Sequence, residues 1–328
     1  MTTDDTSQYD VLIVGQGAAA FGAALYSARY QMKTIVVGET FGGETATGSI
    51  IENYPGYKHI DGFDLMMKMK EQVVDLGVKV VDDKVNEIAK EKDCFVSKAY
   101  EQTYRSTAVV LAVGRERRKL GLPTEDDLLG KGLSYCSTCD APLYKDKVVA
   151  VVGGGDAAVK GSVLLGKYAE RVYLIHRRDK FTRPEPINLR LLEQASNVAQ
   201  VMSTKVVGLS GNGNLRSVTL DKAYDGRTDL QVEGIFVEIG AEPRSELAKA
   251  LGAMLNDEGE IMVSRFMETT VSGLFAAGDV TDASGELKQT ITSTAQGVVA
   301  ATSAYKYVAE HPDACNCHAV GYHLASVG

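Results

Sequence analysis

Two cysteines carry the most evident chemistry of this chain, in the run Tyr135-Cys136-Ser137-Thr138-Cys139-Asp140-Ala141-Pro142. Thiols at C-x-x-C spacing can close a small disulfide, and after reduction a thiolate can attack another disulfide. Asp140, adjacent to the pair, is placed to exchange a proton with a departing sulfur, and its plainer role is a helix or turn cap. Zinc is a second use of the thiols, but the partner ligands would be Cys315-Asn-Cys317-His318, whose C-x-C spacing is atypical of a zinc knuckle. Plain core cysteines are the third. Redox chemistry leads, and no metal site is expected. Cys94, between Asp93 and Phe95-Val96, reads as a core residue. The tail thiols read as an exposed, inactive end, with a second shuttle pair as the sharper alternative.

A dithiol needs an electron source, and two glycine-rich turns can hold one. Asp10-Val-Leu-Ile-Val-Gly15 is a short apolar run, followed by Gln16-Gly17-Ala18-Ala19-Ala20 and a helical pattern to about Tyr30; Lys33-Thr-Ile-Val-Val37 closes a βαβ unit. The unit recurs as Lys147–Val152, Gly153-Gly154-Gly155-Asp156-Ala157-Ala158, a helical stretch to about Tyr168, and Arg171–Ile175. Gly15 is as far from Gly153 as Ala20 is from Ala158, so the copies are in register. In this strand–turn–helix context the glycines admit a pyrophosphate to the backbone, and the helix N-terminus offers free N–H groups and partial positive charge. A glycine-rich turn in an unrelated α/β sheet is the bland alternative.

The residue beyond the second strand separates the ligands. Glu39 can accept from a free ribose 2′-OH, as in FAD or NAD, whereas His176-Arg177-Arg178 at the equivalent place suits a 2′-phosphate, as in NADP; solvated surface charge is the alternative for the arginines. Downstream, Gly273-Leu-Phe-Ala-Ala-Gly278-Asp279 ends in a glycine and an acid able to accept from a polyol. Gln289-Thr290-Ile291 then opens a helix whose N-terminus can stabilise electron density on an isoalloxazine carbonyl. Together these describe a relay from nicotinamide to flavin to disulfide.

Length and charge agree with such an enzyme. The 328 residues make roughly two domains at about 150 each, and 45% hydrophobic with 24% charged residues is an ordinary globular balance. A net charge of −8 argues against nucleic acid or anionic membrane as partner. The polar, acidic Met1–Ser7 lacks the features of a secretory signal, and no apolar run nears the roughly 18 residues of a membrane span; a cytoplasmic protein is expected.

The chain resembles the low-molecular-weight thioredoxin reductases, of the pyridine nucleotide-disulfide oxidoreductase class, from about Tyr9 to Ala309. Cys136-Ser-Thr-Cys139-Asp140, His176-Arg177-Arg178, Ile51-Glu-Asn53-Tyr-Pro-Gly56 and Gly273–Asp279 carry the likeness. It implies an α/β fold of two Rossmann-like dinucleotide-binding domains, an NADPH domain (117–245) inserted into a discontinuous FAD domain (1–116 and 246–328), with hinges near 115–119 and 240–244. It also implies a homodimer, a rotation of the NADPH domain that gives nicotinamide and dithiol alternating access to the flavin, and a thioredoxin-like protein as acceptor. Cys136 would attack the thioredoxin disulfide, Cys139 would face the flavin, and Asp140 would be the acid/base group. The implied FAD contacts are Gly15, Gly17, Ala18, Ala19, Ala20, Glu39, Gly42, Gly43, Glu44, Asn53, Val85, Gly114, Gly278, Asp279, Gln289, Thr290 and Ile291. For NADPH they are Gly153, Gly155, Asp156, Ala157, Ala158, His176, Arg177, Arg178 and Arg183. The chain departs from the family pattern at Glu44, where an amide is usual, at Val113, which lacks a hydroxyl, at Ala157 and Lys160, which stand where a serine and an acid are usual, and at Thr182, with the arginine displaced to Arg183. A flavin-dependent dithiol oxidase, a ferredoxin-fed reductase, an NAD(P)H oxidase and a non-catalytic redox sensor are the rival readings.

Overall fold

The computed structural model describes residues 7–47, 50–182, 184–285 and 287–315. Its chain divides into two units, Met1–Arg115 with Pro243–Gly328, and Glu116–Glu242. Elements run in the order β1 (Ser7–Val14), α1 (Ala18–Arg29), β2 (Thr34–Gly38), α2 (Gly43–Thr47), β3 (Ile50–Ile51), β4 (Ile60–Asp61), α3 (Gly62–Asp75), β5 (Lys79–Asp82), β6 (Val85–Glu91), β7 (Cys94–Ala99) and β8 (Thr103–Leu111). After β9 (Arg115–Arg117) come α4 (Glu125–Leu128), β10 (Leu133–Ser134), α5 (Ser137–Asp140), a 3-10 turn, β11 (Val148–Val152), α6 (Asp156–Leu165), β12 (Arg171–Ile175), α7 (Pro186–Gln194) and β13 (Val198–Val201). The remainder is β14 (Val206–Asn212), β15 (Asn214–Tyr224), β16 (Arg227–Gln231), β17 (Gly234–Val237), β18 (Ala241–Pro243), α8 (Glu246–Ala250), β19 (Leu274–Ala276) and α9 (Thr290–Glu310).

The first unit is built on a seven-stranded sheet of order β5-β2-β1-β8-β7-β6, with β19 also paired to β8. Strand β8 divides one edge between two partners: residues 103–106 pair antiparallel with β7, and residues 109–111 pair parallel with β19. Burial on both faces explains why β1 reads as an unbroken apolar run rather than an alternating one. Val11 and Ile13 face a cluster with α1 and α9, whereas Leu12 and Val14 face a second cluster that includes Phe95 and Ile261. Helices α1 and α9 meet through small residues. A Cβ on Gly22 would lie 2.5 Å from the Thr294 carbonyl oxygen, and one on Gly297 would lie 2.0 Å from that of Ala19. Only glycine fits at either place, and this contact sets where the first turn of α9 lands.

The second unit carries a five-stranded parallel sheet, β10-β17-β11-β12-β13, and a three-stranded antiparallel sheet, β14-β15-β16. The expected α/β fold with two βαβ nucleotide-type units is therefore present: β1-α1-β2 and β11-α6-β12. Among the described residues, no helix is long and apolar enough to cross a membrane.

One expectation is corrected. Cys315 is not a free, exposed end: it forms a disulfide with Cys94, a core residue as expected, across a sequence separation of 221, with Cα atoms 5.0 Å apart. Both are buried, at 2% and 6% exposure. The strand hairpin of β6 and β7 is thereby tied to the segment after α9; Cys317 and His318 lie outside the described residues. Closing so long a loop restricts the unfolded chain, an effect worth typically 2–4 kcal/mol. Cys315→Ser should therefore lower the melting temperature by several degrees without reductant, and a strong phosphine reductant should remove the difference from wild type. Equal melting temperatures without reductant would show that the bond carries no stability.

Candidate functional site

In the first unit, the turn after β1 is shaped by Gly15, which adopts φ +118° and whose Cβ would lie 2.3 Å from the Ala112 carbonyl oxygen. Gly17 caps α1 without a side-chain hydrogen bond, and a Cβ there would meet nothing within 4 Å. The helix therefore presents its first amides to open space. Gly43 (φ +54°) stands opposite, its Cβ position 3.7 Å from the Gly17 Cα. Ala18, Ala19 and Ala20 are buried beneath the turn.

The start of α9 joins this place. A Cβ on Gly278 (φ +84°) would come within 2.9 Å of the Ala19 Cβ, the Gly278 N–H donates to Gln296 Oε1 at 2.8 Å, and Ser293 Oγ donates to Asp279 Oδ1 at 2.8 Å. Gln289 forms a capping box with Thr292 and accepts from Asn53 Nδ2 at 3.1 Å. Thr290 Oγ1 is 3.0 Å from Thr45 Oγ1 on α2, the helix that also holds Glu44. Gly15, Gly17, Gly43, Asn53, Gly278, Asp279, Gln289 and Thr290 are thus brought to one region, with Ile291 exposed on the first turn of α9. Glu39 lies exposed past β2 and pairs with Lys84 at 3.2 Å. Gly42 (φ +71°) is packed on Ala46 and Met66, and Gly114 (φ +65°) opens to free space. Val85 is turned into the core beside Ile88, so any cofactor contact from it would come from its main chain.

Several residues here were missed by sequence reasoning. Gln16 Nε2 donates to the Gly38 carbonyl at 2.8 Å and to Asp82 Oδ1 at 2.6 Å, tying the glycine turn to the ends of β2 and β5; its Oε1 is buried without a partner. Glu260 is held by Arg115 at 2.9 Å, Lys288 at 2.8 Å and Asn256 at 2.9 Å. Burial pushes its carboxyl up, but the bonds from Lys288, Asn256 and Arg115 together hold it below the usual range. Arg115 also donates to the Asp279 carbonyl at 3.4 Å. Apart from Asn256 with Glu260, four residues apart, these pairs are distant in sequence, and no local pattern announces them.

The open Gly17 position, the uncapped helix N-terminus and the orphaned Gln16 Oε1 fit a dinucleotide. In the second unit, Gly155 caps α6 without a side-chain bond, and Gly154 lets the His176 ring approach to 2.1 Å of where a Cβ would stand. His176 is buried with Nε2 unpartnered, and burial, then Arg178 and Arg177, lower its pKa against a backbone bond that raises it. Arg177 and Arg178 are exposed. Asp156 is already engaged, its Oδ1 accepting from Glu185 N at 2.7 Å and Asn188 Nδ2 at 2.9 Å. Ala157 and Ala158 continue the first turn of α6, and Arg183 lies outside the described residues.

Cys136 and Cys139 form a disulfide with Cα atoms 5.3 Å apart, as the redox reading expects. The short helix α5 places Cys136 at its N-cap, where Sγ accepts from the Cys139 N–H at 3.1 Å. Thr138 Oγ1 lies 3.3 Å from the same sulfur. Ser134 Oγ accepts from the Cys136 N–H at 3.0 Å. Asp140 follows directly, half-buried, and does not cap the 3-10 turn with its side chain. Among the described residues, no cluster of three His, Cys, Asp or Glu side chains could hold a metal ion.

Asp279 gives a test of the first-unit site. Burial is the main cause that raises its pKa, against the Ser293 bond and the charges of Lys288 and Arg115. A raised acid favours folding while protonated, and that contribution is lost as pH rises through the folded pKa. Asp279→Asn should therefore raise the melting temperature of flavin-free protein at neutral pH, with the gain shrinking toward pH ~4. A constant difference across that range would refute it.

Comparison with known proteins agrees with the geometry. The family model for pyridine nucleotide-disulphide oxidoreductases matches residues 9–297. A thioredoxin reductase of Treponema pallidum is 37% identical over 92% of this chain and 98% of its own, and one of Bacillus subtilis is 37% identical over 92% and 95%. The crystal structure of Lactococcus lactis thioredoxin reductase in its FR conformation superposes with a TM-score of 0.86 at 32% identity, covering 92% of this chain and 99% of that one. With two βαβ turns and a closed C-x-x-C disulfide on the same framework, the chain belongs to the pyridine nucleotide-disulphide oxidoreductases, among the low-molecular-weight thioredoxin reductases.

Proposed function

We propose that the protein is a thioredoxin-disulfide reductase that takes electrons from NADPH through FAD and the Cys136–Cys139 disulfide to a thioredoxin-like protein. The closed disulfide, set in the unit that also bears the second glycine-rich turn, carries the reading. The first unit is the FAD-binding domain, with Gly15, Gly17, Gly43, Asn53, Gly278, Asp279, Gln289 and Thr290 as its principal contacts. The second is the NADPH-binding domain, with Gly153, Gly155, His176, Arg177 and Arg178. The same reading makes the protein a cytoplasmic homodimer, consistent with its acidic charge of −8.

When bound, FAD supplies a two-electron exchange between nicotinamide and disulfide. The protein residues do the rest. In the reduced pair, the Cys139 N–H that points at Cys136 Sγ favours the thiolate there. That thiolate attacks one sulfur of the substrate disulfide, and the other substrate sulfur departs as a thiolate that takes a proton, with Asp140 as the donor. Cys139 then attacks Cys136 Sγ in the mixed disulfide; the second substrate thiol leaves and the Cys136–Cys139 bond closes again. Two electrons and two protons pass to the substrate in each cycle.

Anaerobic titration of the yellow protein with NADPH, then NADH, followed by an oxidised thioredoxin, tests donor, cofactor and acceptor together. NADPH should bleach the flavin band and thioredoxin should restore it; failure of NADPH to bleach would favour a ferredoxin-fed or oxidase reading. Cys139→Ser should retain FAD but lose turnover with a protein disulfide, and turnover near wild type would refute the role of that thiol. Replacing both Arg177 and Arg178 by Ala should raise KM for NADPH about 10- to 100-fold with kcat little changed and NADH use unaffected. Equal losses with both nucleotides would deny them the 2′-phosphate.

A further inference from the structure

Ser137, inside the C-x-x-C, is firmly held. Ser137 is 3% exposed, and both of its donors reach one carboxylate oxygen: Ser137 Oγ donates to Glu238 Oε1 at 2.8 Å and the Ser137 N–H donates to the same atom at 3.2 Å. Glu238 directly follows β17, a central strand of the five-stranded sheet. Its other oxygen accepts from Arg117 Nη1 at 3.4 Å, and the side chains of Glu238 and Arg117 are 10% and 25% exposed. All of these residues lie within the second unit.

Helix α6 is shaped to admit this contact. Gly161 sits inside it, where glycine is the poorest ordinary helix former. A Cβ on Gly161 would lie 2.3 Å from Ser137 Oγ, with Glu238 Oε1 at 4.0 Å. Any side chain there would push Ser137 off the carboxylate. The glycine, the serine and the glutamate, distant in sequence, therefore form one fitted contact.

We infer that Glu238 is a positioning residue for the Cys136–Cys139 couple, anchoring Ser137 so that the two sulfurs are held in the closed arrangement, while Arg117 steadies its other oxygen. This rests on the proposed redox role of the disulfide. Two physical effects act in the same direction. Reduction breaks the sulfur–sulfur bond and lets the sulfurs separate, which the anchored Ser137 resists. Reduction by two electrons also allows negative charge to develop on sulfur, which a nearby carboxylate disfavours in a partly buried setting. Glu238 thus holds the couple toward the disulfide and makes it a harder acceptor to reduce.

The test uses full-length, FAD-loaded protein equilibrated anaerobically with mixtures of reduced and oxidised dithiothreitol at about pH 7, counting alkylated Cys136 and Cys139 by mass spectrometry of the peptide. Neither NADPH nor thioredoxin is needed, so the result stands apart from whether the donor and acceptor are correctly assigned. Glu238→Ala should shift the equilibrium toward dithiol about tenfold, which is about 30 mV for a two-electron couple. Glu238→Gln keeps an acceptor for both Ser137 donors and should shift it by only about threefold. Ser137→Ala should move it in the same direction, and the Ser137→Ala/Glu238→Ala double variant should go little beyond Glu238→Ala alone. Gly161→Ala, which displaces Ser137 while leaving the carboxylate in place, gives a second route to the same shift should Glu238→Ala not fold. A dithiol equilibrium within about twofold of wild type in both Glu238→Gln and Gly161→Ala, or additive shifts in the double variant, would overturn the inference.

Discussion

Two helices can approach backbone to backbone only where neither interposes a side chain, and Gly22 and Gly297 meet that condition on α1 and α9. From this contact the first-unit site follows. Because α9 is pressed onto α1, its opening residues Gln289, Thr290 and Ser293 stand beside the uncapped N-terminus of α1 and the Gly278–Asp279 turn. The chain needs about 270 intervening residues' worth of sheet and helix to return there, so local preference has no part in the meeting. The surrounding polar groups then complete it: Gln296 takes the Gly278 amide, and Ser293 takes a carboxylate that burial would otherwise leave costly.

The second unit repeats the plan with different sterics. Where the first copy places Gln16, the second places Gly154, whose missing Cβ makes room for the His176 ring, and the buried His176 carries the chain out to two exposed arginines. The same βαβ frame thus carries an exposed carboxylate, Glu39, past β2 and exposed guanidinium groups, Arg177 and Arg178, past β12. Under the proposed function, that difference in charge is what would separate a free ribose from a phosphorylated one.

The two disulfides have opposite surroundings. Cys136 and Cys139 are three residues apart on a short helix, with Cys139 exposed and donors directed at Cys136 Sγ. Cys94 and Cys315 are 221 residues apart and sealed at 2% and 6% exposure. A sulfur that solution thiols cannot reach does not exchange readily, whatever the compartment. One chain can therefore hold a bond built to be broken and another built to stay, and accessibility makes the difference.

By itself the amino-acid order determined whatever depends on neighbours along the chain. Apolar β-branched runs made β1, β2, β11 and β12; Gly15 and Gly153, at positive φ, made the turns after β1 and β11; and spacing brought Cys136 to Cys139. The register of the repeat was enough to assign Glu39 and Arg177 to equivalent ends. Tertiary structure decided every partnership between distant residues: Cys94 with Cys315, Glu260 with Arg115 and Lys288, Gly161 and Ser137 with Glu238. Cys94 looked like a core residue because burial and pairing leave the same local signature, an apolar strand. Which thiol, carboxylate or glycine meets which is set by how sheets and helices pack, and packing is a property of the whole chain rather than of any window of it.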